Sequence, residues 1–446
     1  SSPAAPALSA RALGRSFAMK AAEARDVALI GESCGLRLDG QPLAAIEEVE
    51  PPKASARAIT MNFIAGGLGS AIFGLPWSVA GSSVLSSVAI IAGVLLVNFW
   101  TISVVVRAGE RYQVFDLGSI VAQLPRGLGP PLQAVTNVFM WMSLFLSLVS
   151  YIIVIHDSVS YFVAGTSLDN RLLLVALAAV LVLPLCFLSQ RLLESTSSLA
   201  FVANVYLFVL IGVLYGRAAS EHRLPEGCCL LGTTARGNFA MATVMFQAVI
   251  IQMCVLPMYR DLEDRSPRKF DRIVAVGFGA LFVLFSGFAG VGYLLVGPDV
   301  SSNLLEDLPS GPGSSVARIS VIFVVASVYP IMVCPMVAPL EAYRGCLCGL
   351  SRRAAVSAAK CLIVLASMGV ASCMTQLGTV LVVDGAMSAL VFVALLPSAV
   401  GLMLLDVGTC HKAALWLLLV LGTGVSLMGF VFSSNYVGDL RCVVEA

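Results

Sequence analysis

The stretch Asn62–Trp77, NFIAGGLGSAIFGLPW, lies inside an apolar run long enough to cross a membrane. Its middle carries Gly66, Gly67 and Gly69, and its far part Gly74 and Pro76. Glycine weakens a helix, and proline breaks its hydrogen-bond ladder. Interrupted backbone at membrane depth persists only where protein or a water-filled cavity satisfies it. A broken first span therefore hints at a transport site near the bilayer midplane. The other reading is plain: small residues let membrane helices pack closely. On the glycines alone, both readings stand.

The rest of the chain fits a membrane. Of 446 residues, 58% are hydrophobic and 12% charged, against roughly 25% charged in an ordinary soluble domain. A polytopic membrane protein embedded in a lipid bilayer is expected. The net charge of +1 offers no basic field, so no nucleic-acid partner is expected. The 12 cysteines lie mostly in apolar segments, where they read as small buried hydrophobes. Cys228 and Cys229 sit in a polar loop, and Cys346 and Cys348 follow a helix end. None has a zinc-type spacing, so no metal site is expected, and disulfide pairing stays open. Nothing resembles a nucleophile triad or a phosphate loop, and no enzymatic role is expected.

Residues 1–57 are rich in Ala, Ser and Pro and lack a long apolar run. They read as a disordered cytosolic tail, although the basic, acid-free start up to Lys20 has the composition of a transit peptide. Residues 58–433 read as an all-α domain of eleven transmembrane helices, and 434–446 as a short tail on the non-cytosolic side. The predicted spans are Ile59–Gly81, Val84–Val106, Leu132–Val163, Leu172–Leu188, Leu199–Tyr215, Phe239–Met258, Ile273–Val296, Val316–Leu340, Ala354–Cys373, Gly385–Leu405 and Ala413–Phe432. Residues from Gly378 to Asp384 read as a turn between the ninth and tenth. With the N-terminus inside, the inner loops collect Arg107, Arg111, Arg126, Arg191, Arg260, Arg265, Arg268, Lys269, Arg272, Arg344, Arg352, Arg353 and Lys412. Outer loops hold Arg171, Arg217, Arg223, Arg236 and Arg318. That bias predicts a cytosolic N-terminus.

The sixth span carries Gln247 and Gln252 in an apolar helix, with Pro257 near its inner end. Amides at membrane depth need partners and are often functional, although bonding to neighbouring helices serves them equally. The two interrupted spans stand five apart, the offset of an inverted five-plus-five repeat with a site at its interface. His156 and Asp157, near the outer end of the third span, read either as a proton relay or as interfacial groups. Asp384 reads as an outer cap of the tenth span, and Glu341 with Arg344 as an inner-surface ion pair. Trp141, Ser143 and Ser147 face either the site or a packing partner.

Three segments carry a family resemblance. Gly69-Ser70-Ala71-Ile72-Phe73-Gly74-Leu75-Pro76 resembles the G-x-G-I-L-x-L-P first-helix motif of the amino acid/auxin permeases, with Ala71 for the second glycine. Val255 to Leu262, VLPMYRDL, is similar to that family's V-L-P-I-Y-x-E-L. Val316-Ala317-Arg318, then Tyr329-Pro330 and Pro335, resembles its eighth helix, and Gly385-Ala386 with Pro397 fits its tenth. Where many members carry His-Pro in the sixth-helix break, this chain has Gln252 and Met253.

The resemblance, which extends to the sodium-coupled neutral amino acid transporters, implies a LeuT-like fold and secondary active transport of amino acids, neutral ones on the absence of a well-placed intramembrane Arg or Lys. In that picture Gly66, Gly67, Leu68, Gly69 and Ser70 receive the substrate carboxylate. Gln247, Ile251 and Gln252 line the rest of the substrate space. Ala65 and Ser327 would hold a coupling cation, H+ or Na+, and no other cofactor is expected. Members sit in plasma, vacuolar or lysosomal membranes, and a monomer is expected. The alternative is a non-transporting amino acid sensor or structural subunit that keeps the permease fold.

Overall fold

The computed structural model describes residues 53–125, 127–188, 197–342, 351–432 and 441–445. The predicted tail up to residue 52, most of the C-terminal tail and the Glu341–Arg344 pair lie outside the described residues or side chains.

The membrane domain is a chain of helices. The first span is split into α1 (Ala56–Gly67), a 3-10 turn (Ser70–Gly74) and α2 (Leu75–Ser82). Then follow α3 (Val84–Tyr112), the short α4 (Leu117–Ala122), α5 (Gly129–Val163), α6 (Arg171–Leu185) and α7 (Ser197–Ser220). The sixth span is α8 (Ala235–Ala248) and α9 (Gln252–Arg260), followed by α10 (Pro267–Val296), the one-turn α11 (Leu304–Asp307), α12 (Pro312–Ala342) and α13 (Arg352–Cys373). The tenth span is α14 (Leu377–Ser388), a π-helical segment (Ala389–Leu395) and α15 (Leu396–Met403); α16 (Thr409–Val431) is the last.

Among the described residues nine helices or helix pairs are long and apolar enough to span a bilayer, and the bent first pair makes a tenth. The shorter apolar α6, with Pro184 inside it, stands where the fourth predicted span lies. Capping chemistry sets many of the starts. Ser55, Asp116, Asn170, Thr234, Ser266 and Ser351 each accept a backbone N–H in the first turn of the helix that follows.

The turn expected at Gly378–Asp384 is instead helix. Its two glycines are close-approach points. A Cβ at Gly378 would overlap the Trp77 ring, and one at Gly385 would overlap the backbone of Thr243 on α8. Asp384 therefore does not cap a helix from outside; it is buried on α14 between neighbouring helices.

The face reached by the C-terminal ends of α2, α5, α7 and α10 carries the only described sheet. Strand β1 (Cys229–Thr233) pairs antiparallel with β2 (Arg441–Glu445), and Cys229 is disulfide-bonded to Cys442. This answers the pairing that the sequence left open. We call this face the far side and the opposite one the N side.

Candidate functional site

The first break divides the glycines between the two readings. Gly67 packs against Leu281 of α10, whose side chain would meet a Cβ at 2.6 Å, while Gly66 and Gly69 have nothing within 4 Å of such an atom. The halves meet at a bend of 48°. Leu68 N–H returns to the Ala65 carbonyl at 3.2 Å, and Gly69 is extended. Among the described residues the N–H groups of Gly69, Ser70 and Ala71 have no backbone acceptor. Ser70 Oγ lies 3.1 Å from Ser150 Oγ on α5.

In the second break, Val249, Ile250 and Ile251 separate α8 from α9. Gln247, in the last turn of α8, donates from Nε2 to Ser147 Oγ on α5 at 3.3 Å and accepts from Ser388 Oγ on α14 at 3.5 Å. Ser147 in turn donates to Asp384 Oδ2 at 3.4 Å. These contacts are long and leave slack in the cluster. Gln252 turns another way: its Nε2 donates to Asn98 Oδ1 on α3, while its own Oε1 has no partner among the described residues. Ile251 is buried. The helix-tying alternative thus describes both amides, Gln252 binding to α3 and Gln247 to α5 and α14 beside the break.

The structure places Ala65 on the exposed face of α1 and Ser327 in the buried interior of α12. The Ala65 carbonyl already accepts from Leu68, and the Ser327 hydroxyl donates to Phe323 O at 2.8 Å. Both oxygens keep a lone pair for a cation.

Burial differs between the two sides. On the far side, every residue of α2 is buried, and α8 is buried from Ala240 to Ala248 except for Ala242. On the N side, Asn62, Ala65, Gly66 and Gly69 are exposed, as are Val138, Trp141 and Met142 on α5. Asn62 and the Gly69 N–H, which has no backbone acceptor among the described residues, lie on that face, and lipid there would leave them without hydrogen bonds.

A second polar cluster closes the far side. Asp157 on α5 accepts from Asn303 Nδ2 at 2.9 Å and pairs with His156 Nδ1 at 2.8 Å. Glu306 of α11 is exposed as a residue, and its carboxyl shares a hydrogen bond with Asp157. Desolvation of the carboxyl, and then the Asp157 charge, push it up to about 8. Arg318 is fully buried; it donates to Leu305 O and Leu308 O at 3.1 and 2.8 Å and lies 3.6 Å over the Tyr161 ring. His156 and Asp157 thus anchor a loop, and both are largely buried rather than solvated at the interface. Sequence reasoning missed Ser150, Ser388, Asn98 and the place of Asp384. The signal for Asp384 was an ionisable residue inside the apolar run 377–403.

A model for a family described as transmembrane amino acid transporter protein matches residues 52–436. Curated relatives include amino acid transporter AVT6E of Arabidopsis thaliana, 23% identical over 59% of this chain and 58% of that protein. The sodium-coupled neutral amino acid symporter 2 of Danio rerio is 24% identical over 58% of this chain and 57% of that protein. The chain thus spans a little under three-fifths of the length of these relatives. Among solved structures, the manganese transporter of Eremococcus coleocola superposes with a TM-score of 0.52 at 12% identity, over 86% of this chain and 89% of that one. Mhp1, a nucleobase-cation-symport-1 family transporter, gives 0.50 at 11% identity, over 86% and 91%. Both likenesses speak to the fold alone, and that fold is LeuT-like.

Proposed function

The chain belongs to the family of transmembrane amino acid transporter proteins, and from that premise we propose that it moves neutral amino acids across a membrane by alternating access. The observation that carries this reading is the first break. Three adjacent N–H groups, at Gly69, Ser70 and Ala71, lack backbone acceptors among the described residues and open a helical segment beside unfilled space at Gly66 and Gly69. Such a group of donors, at the positive end of a helical dipole, suits a carboxylate. Gln247 and the Ser70–Ser150 pair lie beside the two breaks and, with Ile251, are read as lining the space for the rest of the substrate; none of these side chains is basic, which favours neutral substrates. The bundle holding the first and sixth spans would rock against the remaining helices, and the exposed N-side face of α1 fits a state open to that side.

The N side is read as cytosolic. The arginine bias supports this, and so does the Cys229–Cys442 bond, since disulfides persist on the oxidising side of a membrane. A plasma or vacuolar/lysosomal membrane fits both. The test is competition during exchange in liposomes holding the purified full chain, with labelled L-alanine as probe. L-alanine is expected to compete and L-alaninamide to fail, since the amide lacks the carboxylate. Equal competition by the amide would remove the carboxylate from the Gly69–Ala71 donors.

A further inference from the structure

We propose that Asp384 is a proton-binding site that couples transport to a proton gradient, with Oδ1 as the atom that takes the proton. The proposal deepens the transport reading and rests on it. Asp384 is 1% exposed in the tenth span, and Oδ1 has no hydrogen-bond partner among the described residues. Its other oxygen accepts from Ser147, and Ser143, one turn earlier on α5, also interacts with the carboxyl. An ionised carboxylate in such a place is costly unless a positive charge or a proton joins it.

Among the described residues the neighbourhood offers no basic partner. Helices α5, α8 and α16, the π-helical segment and the 3-10 turn pack against α14. The titratable group they present to Asp384 is Tyr151 of α5, a neutral phenol. His156 and Asp157, farther along α5, are engaged with each other and Asn303. Arg236, in the first turn of α8, lies over Phe432, and Cys410, His411 and Lys412 are exposed in the first turn of α16. The 3-10 turn and the π-helical segment carry no titratable residue.

The site suits a proton better than a metal cation. Hard cations take about six oxygen ligands, whereas the oxygens gathered here among the described residues are the two of the carboxyl and the hydroxyls of Ser147 and Ser143. Binding forms one O–H bond at Oδ1, with the proton taken from hydronium; release returns it to water. The link to substrate is the chain of contacts from Asp384 through Ser147 to Gln247, the residue that ends α8 at the second break. Protonation at Oδ1 removes the negative charge to which Ser147 donates at Oδ2, so that bond weakens and Ser147, with Gln247 behind it, is freer to turn; proton and substrate occupancy thus bear on one another.

The experiment uses the full chain in liposomes, a mixture of labelled neutral L-amino acids, and Asp384→Asn beside Asp384→Glu. An inward proton gradient is expected to stimulate uptake by the wild type and by Asp384→Glu. Asp384→Asn is expected to lose that stimulation while exchange at equal concentrations continues, which also shows that it is folded. Equal stimulation of Asp384→Asn and wild type would overturn the proposal, as would a wild type driven by sodium alone. Absence of both uptake and exchange in the wild type would sink the transport reading instead. Infrared titration of the purified protein then still decides the proton site: a protonated-carboxyl band missing from Asp384→Asn supports it, and identical spectra at every pH overturn it.

Discussion

Gly385→Ala tests the crossing that brings Asp384 to the centre of the molecule. A Cβ at Gly385 would overlap the carbonyl oxygen and carbon of Thr243 and meet its Cα at 3.2 Å. All three are backbone atoms, so no rotamer relieves the overlap and α14 must move off α8. Overpacking costs about 1–3 kcal/mol where side chains can adjust; here the upper end applies, about 3 kcal/mol. At about 1.4 kcal/mol per decade, that is roughly a hundredfold on the folding equilibrium. At about 2–4 °C per kcal/mol for mid-sized domains, the loss in Tm is on the order of 6 °C. The control is Gly424→Ala on α16, where nothing lies within 4 Å of the added atom. It should be neutral or stabilising by up to about 1 kcal/mol, because glycine in a helix carries an entropic cost. Thermal unfolding of both variants in detergent reads the difference. Uptake should fall with Gly385→Ala as well, since the crossing sets Ser388 against Gln247 and joins Asp384 to it through Ser147. Equal Tm values for the two variants would refute the helix crossing and restore the turn expected at 378–384.

Other consequences follow from the far side. Because the Glu306 carboxyl is raised from 4.5 to about 8 in the closed loop, closure is fully supported below about pH 4.5 and loses that support as pH rises to about 8. Limited proteolysis of residues 297–311 in wild type, relative to Glu306→Gln, should therefore increase with pH over that window; a constant ratio would remove Glu306 from the latch. Arg318→Lys cannot reproduce the planar fork that reaches Leu305 O and Leu308 O, and a cost of about 2–3 kcal/mol is expected, read as a lower Tm and faster cleavage of the same loop. Peptide mapping without reductant should recover Cys229 linked to Cys442. In oriented membrane vesicles, an impermeant thiol reagent should label them after reduction from the far side alone; labelling from the N side would invert the topology.

Much of the fold was legible because lipid imposes strong rules on sequence. Long apolar runs marked the spans, and Gly66–Gly69 marked the first break. What stayed hidden depends on which residues meet across helices. Gly378, Asp384 and Gly385 have turn composition, yet the glycines serve contacts with Trp77 and Thr243 that no local pattern reveals. Gln247 and Gln252 look alike in sequence and are told apart only by their partners, Ser147 and Asn98. Ser70 belonged to the expected carboxylate cradle; its pairing with Ser150, eighty residues on, is a tertiary fact. The disulfide likewise joins two strands through cysteines 213 residues apart.

The central claim is transport, and the direct measurement is uptake by liposomes containing only the purified chain. Labelled neutral L-amino acids are supplied outside, and the internal concentration is followed under an inward proton gradient, an inward sodium gradient, and neither. The account predicts accumulation of at least one amino acid above its external concentration under the proton gradient, abolished by dissipating that gradient. No accumulation of any amino acid under either gradient would contradict it.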